Sequence, residues 1–337
     1  MTTAVPSRES AAIHRLRNAP VEHPDNPGVP LDLDAVASVR VNLSAVERRA
    51  ATLPGRRTVK KEWQAAWLVK AVQCIDLTTL NSDDTEGRVR RLCAKAERPI
   101  REDILAALGL AGRSITVGAV CVYHRFVAAA KDALNGTGIP VAAVSTAFPA
   151  GLAPFATRLA EVRASVEDGA DEIDVVITRE HVLTANWQAL YDEVAAFKAA
   201  CGRAHMKTIL GTGDLKTLRN VGRASMVAMM AGSDFIKTST GKEGVNATIP
   251  VALVMVRAIR AYREATGHIV GFKPAGGIST AKDVMNFQFL MKEELGNEWL
   301  QPGLFRVGAS SLLADIERQL EYFVTGRYAS FDHHAMA

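Results

Sequence analysis

No stretch of this chain comes near the roughly 20 consecutive apolar residues that cross a bilayer. Its start, with Arg8, Glu9, His14, Arg15 and Arg17, carries no long apolar core of the kind a secretory leader has. Cysteine is scarce: Cys74, Cys93, Cys121 and Cys201 lie far apart, with no CxxC pair. That argues against a disulfide framework and a zinc site, and suits a reducing compartment. Nucleotide fingerprints are missing as well. No GxGxxG follows the first strand, and Gly211-Thr-Gly213-Asp-Leu-Lys216 lacks the third glycine. Gly241-Lys242 would end a P-loop, but the position that needs the earlier glycine is Ile236. A dense basic block is absent too. The net charge is +4, which serves anionic small molecules as well as it serves nucleic acid. The small cluster Arg56-Arg57 and Lys60-Lys61 reads best as a solvated helix start. The chain has no internal repeat and no low-complexity tract. The expectation is a soluble cytoplasmic protein with no membrane and no nucleic-acid partner. A homo-oligomer is compatible with it.

What is present is apolar and regularly punctuated. Hydrophobic residues make up 48% of 337, enough for one large core. Residues 1–35 hold Pro6, Pro20, Pro24, Pro27 and Pro30 among scattered charges and read as a poorly ordered arm. Leu31–Ala51 suits a short helix, and Glu62–Lys70 another with Trp63 and Trp67 on one face. Beyond them, apolar and β-branched runs alternate with stretches of helical spacing. The predicted strands are Ala71–Leu77, Ile115–Val122, Val141–Ala147, Glu172–Ile177, Met206–Leu210, Asp234–Lys237, Ile269–Lys273 and Leu304–Val307. Helices are predicted between them, the last over Ser311–Val324. About eight β-then-α units with nearly continuous apolar strands indicate a parallel sheet covered by helices. A closed (β/α)8 TIM barrel is the natural form, and a doubly wound sheet the competing one. The division expected is an extension over 1–60, irregular then helical, a barrel over 61–325 and a flexible tail over 326–337.

Chemistry enters at Lys237. It closes the run Asp234-Phe-Ile-Lys237 and is followed at once by Thr238, Ser239, Thr240 and Gly241. A buried ammonium loses its hydration, so a lysine there is costly. Desolvation or a neighbouring cation lowers an amine's pKa, and the neutral amine attacks carbonyls. A strand-end lysine reaching out to water explains the same residue. Two further runs shift the balance: Lys273 ends Val270-Gly-Phe-Lys273, and Asp174 sits inside Asp171-Glu-Ile-Asp-Val-Val-Ile177. In a barrel the C-terminal strand ends meet at one mouth. That would gather Lys237, Lys273, Asp174, Lys207, Asp76 and Cys121. Gly276-Gly277 follow the penultimate strand, and Gly308-Ala-Ser-Ser311 follows the last and opens a helix. Such loops hold phosphate with backbone N–H groups and a helix N-terminus. Taken singly, either glycine pair is explained as a tight turn.

The phrases Phe235-Ile-Lys-Thr-Ser-Thr-Gly-Lys242, Gly271-Phe-Lys-Pro-Ala-Gly-Gly277 and Glu172-Ile-Asp-Val-Val176 resemble the deoxyribose-phosphate aldolase family. The likeness extends through Ile75-Asp-Leu-Thr-Thr-Leu80, Ala119-Val-Cys-Val-Tyr123 and Arg306-Val-Gly-Ala-Ser-Ser311, and so covers roughly residues 57–328. It implies a class I lyase that cleaves 2-deoxy-D-ribose 5-phosphate reversibly to D-glyceraldehyde 3-phosphate and acetaldehyde, in deoxynucleoside catabolism. The substrate is then a phosphorylated deoxysugar, and neither cofactor nor metal is needed. Lys237 is expected as the Schiff-base lysine, Lys273 as the second cation with a part in proton transfer, and Asp174 as the proton-exchanging carboxylate. Lys207, Asp76, Thr78 and Cys121 form the expected supporting network, where a structural role is as good an explanation. Gly241, Lys242, Gly276, Gly277, Gly308, Ser310 and Ser311 form the expected phosphate cup. A cation-rich mouth is expected to favour a thiolate at Cys121, although most strand cysteines are inert core residues. The sequence departs from the family in places. Ser279 stands where many members have arginine, His124 replaces a common proline, and the tail offers Tyr328 and Phe331 rather than a terminal tyrosine. Two other readings stay open: another Schiff-base lyase of this fold, such as a transaldolase or keto-acid aldolase, and a phosphosugar-binding barrel without catalysis.

Overall fold

The structure, a computed structural model, describes residues 25–330, 333 and 334. Phe331 and most of the expected N-terminal arm lie outside them. Eight strands form one parallel sheet: β1 Ile75–Thr78, β2 Ala119–Tyr123, β3 Val141–Ser145, β4 Glu172–Val176, β5 His205–Ile209, β6 Phe235–Lys237, β7 Gly271–Lys273 and β8 Val307–Ala309. Their order is β7-β6-β5-β4-β3-β2-β1-β8. The two ends of that sheet meet through the parallel bridges Phe272–Phe305 and Ala275–Gly308. Phe272 N–H donates to Leu304 O at 2.9 Å, Arg306 N–H to Phe272 O at 3.1 Å and Gly308 N–H to Pro274 O at 3.0 Å. The sheet is therefore a closed (β/α)8 barrel. Its strands are short and almost wholly buried, as a sheet covered by helices requires.

The covering helices begin where the sequence supplies caps. Thr85, Asn186, Thr217, Thr248 and Thr280 each accept a backbone N–H at a helix start. Thr280 and Asp283 form a reciprocal capping box. Pro250 sits in the first turn of Ile249–Thr266, where its missing N–H costs nothing.

Several boundaries differ from the expectation, among them the second strand, which starts at Ala119 and not at Ile115. The first strand starts at Ile75, because the preceding helix runs over Lys61–Gln73 and buries Ala65, Leu68, Val69 and Val72. That spacing is helical, and a short apolar run is ambiguous when read alone. At the other end, Leu304–Arg306 precede β8 and carry the closing backbone bonds to β7. The single helix expected over Leu31–Ala51 is two, Leu33–Ser38 and Leu43–Arg56, each with its own cap at Asp32 or Asn42.

Residues 25–31 are packed against the barrel. Asn26 is fully buried. Its Nδ2 donates to Met229 O at 2.8 Å and Ser233 O at 2.9 Å, and its Oδ1 accepts from the Tyr262 hydroxyl at 3.1 Å. Asn26 N–H donates to Asp234 at 2.9 Å. One polar side chain thus pins the segment to the turn before β6.

Candidate active site

Strand register sets up the site before any side chain is considered. Asp174 of β4 lies beside Lys207 of β5, and Lys237 of β6 lies beside Lys273 of β7. Across the barrel, Asp76 of β1 lies beside Gly308 of β8. Their side chains meet inside. Asp174 Oδ2 accepts from Lys237 Nζ and Lys273 Nζ, each at 2.7 Å, and its Oδ1 accepts from Lys207 Nζ at 2.9 Å. Asp76 Oδ2 pairs closely with Lys273 Nζ, and Asp76 Oδ1 accepts from Arg306 Nη1 at 2.7 Å. Lys207 donates to Glu172 Oε2 at 2.6 Å and stands 3.8 Å from Asp76. Arg306 Nη2 donates to Glu172 Oε1 at 2.8 Å. All seven groups are buried.

Four cations and three carboxylates share this interior, a balance of one positive charge. Burying ions rarely adds net stability, because desolvation offsets the attraction. Such a cluster is better understood as a device for setting proton affinities. Arg306 and Glu172 have no place among the expected site residues. Both lay inside motif phrases, and one signal pointed to Glu172: it is two residues from Asp174, so both face the same side of a strand.

The three lysines do not share one fate. Lys237 has one carboxylate within ion-pair distance, Asp174. Burial lowers its pKa, Asp174 opposes the shift, Lys273 adds to it, and the net is downward from 10.5. Lys273 is desolvated too, but Asp174 and Asp76 together hold its proton, and its pKa is raised. Lys207, between Asp174 and Glu172, is likewise raised against its burial. Asp174 is desolvated, yet its three lysines keep it well below the usual carboxylate range. Lys237 is the member of the cluster that lines the cavity above it.

That cavity has a volume of about 320 Å³. Lys237 and Thr78 line it at the strand ends, and its walls are the loops after β1, β6, β7 and β8. Gly241, Lys242, Gly276, Gly277, Gly308, Ser310 and Ser311 all line it, with Ser279. The helix Leu312–Thr325 starts there, and its N-cap residue Ser311 makes no side-chain capping bond. Uncapped N–H groups at a helix start, with the positive end of its dipole, favour an anion. Thr78 Oγ1 donates to the backbone carbonyl of Asp76 at 2.7 Å, so its hydroxyl is held against β1 itself.

Two expectations need correction. The Gly241 amide is engaged: it donates to the Glu243 carboxylate at 3.2 Å. At Cys121 burial raises the pKa, and the pull of Lys273 and Lys237 is too weak to reverse it. Cys121 is 1% exposed and packs with Leu80, Ala142 and Val144. It is a thiol in an apolar lining. His124 sits outside this cluster, with Nδ1 at 3.2 Å from Ser165 Oγ. Among the described residues, no group of three or more His, Cys, Asp or Glu is arranged to hold a metal ion.

Comparison with known proteins matches the chain to a set of relatives. The profile described as "DeoC/LacD family aldolase" matches residues 70–316. The human protein named deoxyribose-phosphate aldolase is 61% identical over 308 residues, covering 91% of this chain and 97% of its own. The mouse protein of the same name is 62% identical over 306 residues, covering 90% and 96%. Among solved structures, the tetrameric deoxyribose phosphate aldolase of Aeropyrum pernix superposes with a TM-score of 0.56 at 22% identity, covering 83% of this chain and 99% of that one. At that identity the likeness speaks for the fold alone.

Proposed function

The chain belongs to the DeoC/LacD aldolase family, and from that premise we propose that it is a class I aldolase of 2-deoxy-D-ribose 5-phosphate. It cleaves this sugar phosphate reversibly to D-glyceraldehyde 3-phosphate and acetaldehyde, and so serves deoxynucleoside catabolism. One observation carries the mechanism: Lys237 is the lysine of the cluster that both faces the cavity and is shifted toward its neutral form.

Neutral Lys237 Nζ adds to C1 of the open-chain aldehyde, and the carbinolamine loses water to give a protonated imine. The C3 hydroxyl then gives up its proton and the C2–C3 bond breaks. Its electrons pass to C2 and the imine, leaving an enamine on Lys237 and releasing glyceraldehyde 3-phosphate. Protonation at C2 and hydrolysis free acetaldehyde and restore the amine. Asp174, an anion in contact with Lys237, exchanges protons with the C3 hydroxyl or the carbinolamine, directly or through water. Lys273, held protonated, keeps a positive charge beside Lys237 and supplies a proton to the transfers. Asp76, Lys207, Glu172 and Arg306 hold these groups in place. The phosphate lies in the cup of Gly276, Gly277, Gly308, Ser310 and Ser311, with Lys242 as its cation and Ser279 where other members offer arginine.

Among the described residues no helix is long and apolar enough to cross a membrane. The four cysteines are free and buried, which suits a cytoplasmic enzyme. The Aeropyrum pernix protein is tetrameric, and a homo-oligomer is the corresponding proposal here, to be checked by light scattering.

The test is reductive trapping. Borohydride with acetaldehyde should fix an ethyl group on Lys237, read by peptide mapping, and Lys237→Arg should lose both the adduct and turnover, because a guanidinium stays protonated. An adduct that maps mainly to Lys273 reverses the assignment. Comparing acetaldehyde with ketone and keto-acid donors separates this activity from the other Schiff-base lyases of the fold.

A further inference from the structure

Above the cavity, one arginine outside the family motifs ties four loops together. Arg179 opens the short helix Arg179–Leu183 after β4, and its side chain is 15% exposed. Its Nη1 donates to Ala150 O at 2.9 Å, in the loop after β3. Its Nε stands 3.0 Å from Asp214 Oδ2, in the loop after β5. Its Nη2 donates to Glu243 Oε1 at 3.0 Å, in the loop after β6. The space is fitted to it: a Cβ on Gly211 would come within 2.3 Å of Arg179 Nε.

Glu243 is the inward partner, with a side chain 4% exposed. Its carboxylate organises the loop that lines the cavity. It accepts from Thr240 N–H at 3.0 Å, from Thr240 Oγ1 at 2.6 Å and from Gly241 N–H at 3.2 Å. Lys242 N–H in turn donates to Thr240 Oγ1 at 3.1 Å. The loop then rests on the glycine wall: Asn246 Nδ2 donates to Glu243 O at 2.9 Å, and a Cβ on Gly276 would come within 2.6 Å of Asn246 Cγ.

A carboxylate directly behind the wall of an anion pocket presents a problem. Its charge opposes a phosphate dianion, and in a poorly solvated position that repulsion is weakly screened. The cations lining the cavity are Lys237 and Lys242, and Ser279 supplies none. We propose that the Arg179–Glu243 pair determines specificity for the phosphate end of the substrate. Arg179 neutralises Glu243 and fixes it as the brace of the Thr240–Lys242 loop, so that the brace does not repel the ligand. Arg179 is thus a positioning residue, one that acts on phosphate through Glu243 and leaves the chemistry at Lys237 to others. The inference rests on the substrate reading above.

The experiment compares deoxyribose 5-phosphate with unphosphorylated 2-deoxyribose in the full-length protein. In Arg179→Met, KM for the phosphorylated sugar should rise on the order of tenfold or more, with kcat at saturation and kcat/KM for 2-deoxyribose falling far less. Adding Glu243→Gln, which keeps an acceptor for Thr240 and Gly241 but removes the charge, should restore most of the lost affinity. If Arg179→Met does not fold, the double variant decides: its KM for deoxyribose 5-phosphate should stay within a few-fold of the wild type's. Equal losses for both sugars in Arg179→Met overturn the proposal. So does a double variant whose KM is as poor as the single one's, or on the order of tenfold above the wild type's. A wild type that does not cleave deoxyribose 5-phosphate sinks the substrate reading instead, and the inference with it.

Discussion

Lys237 and Lys273 are neighbours in strand register and near-equivalents in sequence, yet their protons are held differently. The difference is a count of carboxylates. Asp174 serves both lysines, and Asp76 serves Lys273 but not Lys237. Lys237 becomes neutral as pH rises through its folded pKa, which lies below 10.5, and its reaction with aldehydes should rise over the same interval. Lys273 lowers that pKa. Its charge repels the Lys237 proton, and its bond to Asp174 divides the attention of their shared carboxylate. In Lys273→Met both effects vanish, so the midpoint of borohydride trapping against pH should move upward. A midpoint that stays in place would show that Lys273 has no hold on the Lys237 proton. Cys121, like Lys237, is shifted toward its neutral form. Its neighbours include two ammonium groups, but desolvation in a cluster of Leu80, Ala142 and Val144 dominates.

The seam between β7 and β8 closes the barrel and carries one of the cluster's lysines. Gly308 is bridged to Ala275 there. A methyl group at position 308 would come within 2.9 Å of Ala275 Cβ and 3.4 Å of Lys273 Cε. Glycine is needed for this close approach of two strands and not for any unusual backbone angle. Gly308→Ala should therefore act twice. Overpacking should lower stability by ~1–3 kcal/mol, read by urea unfolding. If the seam gives way by moving the strand that carries Lys273, turnover should fall by on the order of tenfold or more, since small misplacements near reacting groups are costly. Full turnover in a destabilised variant would mean that the seam yields away from Lys273.

The buried cluster ties β1, β4, β5, β6, β7 and the run into β8 to one electrostatic object, so its acid response belongs to the whole barrel. Burial raises the affinity of Asp76 for a proton, but Lys273, Arg306 and Lys207 outweigh it, and its pKa falls below 3.8. A depressed carboxylate contributes stability that is fully present above its unfolded pKa and is lost as pH falls through its folded one. Asp76→Asn leaves Arg306 and Lys273 short of a counter-charge, so stability at pH 7 should drop by ~3–5 kcal/mol. The same variant should then lose less stability than the wild type on going from pH 5 to pH 2, because the titrating group is gone. Parallel acid limbs in melting curves of the two proteins would show that other carboxylates govern acid unfolding.

The alternation of apolar β-branched runs with helical spacing was enough to count the βα units, since strands covered on both faces need continuous apolar sequence. Lysines and a carboxylate at the ends of such runs were enough to name Lys237, Lys273 and Asp174 as one group, because burial of a charge is too costly to be casual. The glycine loops that line the cavity were legible for the same kind of reason: each follows a strand. Strand starts and ends were less legible. Ala71–Gln73, which end the helix Lys61–Gln73, and the run Leu304–Arg306 are both short stretches beside a strand, and only their partners decide what they become. The counter-charges Glu172 and Arg306 lie 134 residues apart in the chain, and no local pattern announces that they meet. Nor could local sequence say that Glu243 would take the Gly241 amide, or that Arg179 would reach it across the mouth. The family resemblance singled out Lys237 over Lys273, but the physical reason for the difference in their protons came from the fold. Proton affinity depends on burial and on charges within a few ångströms, and closure of the barrel is what sets those distances.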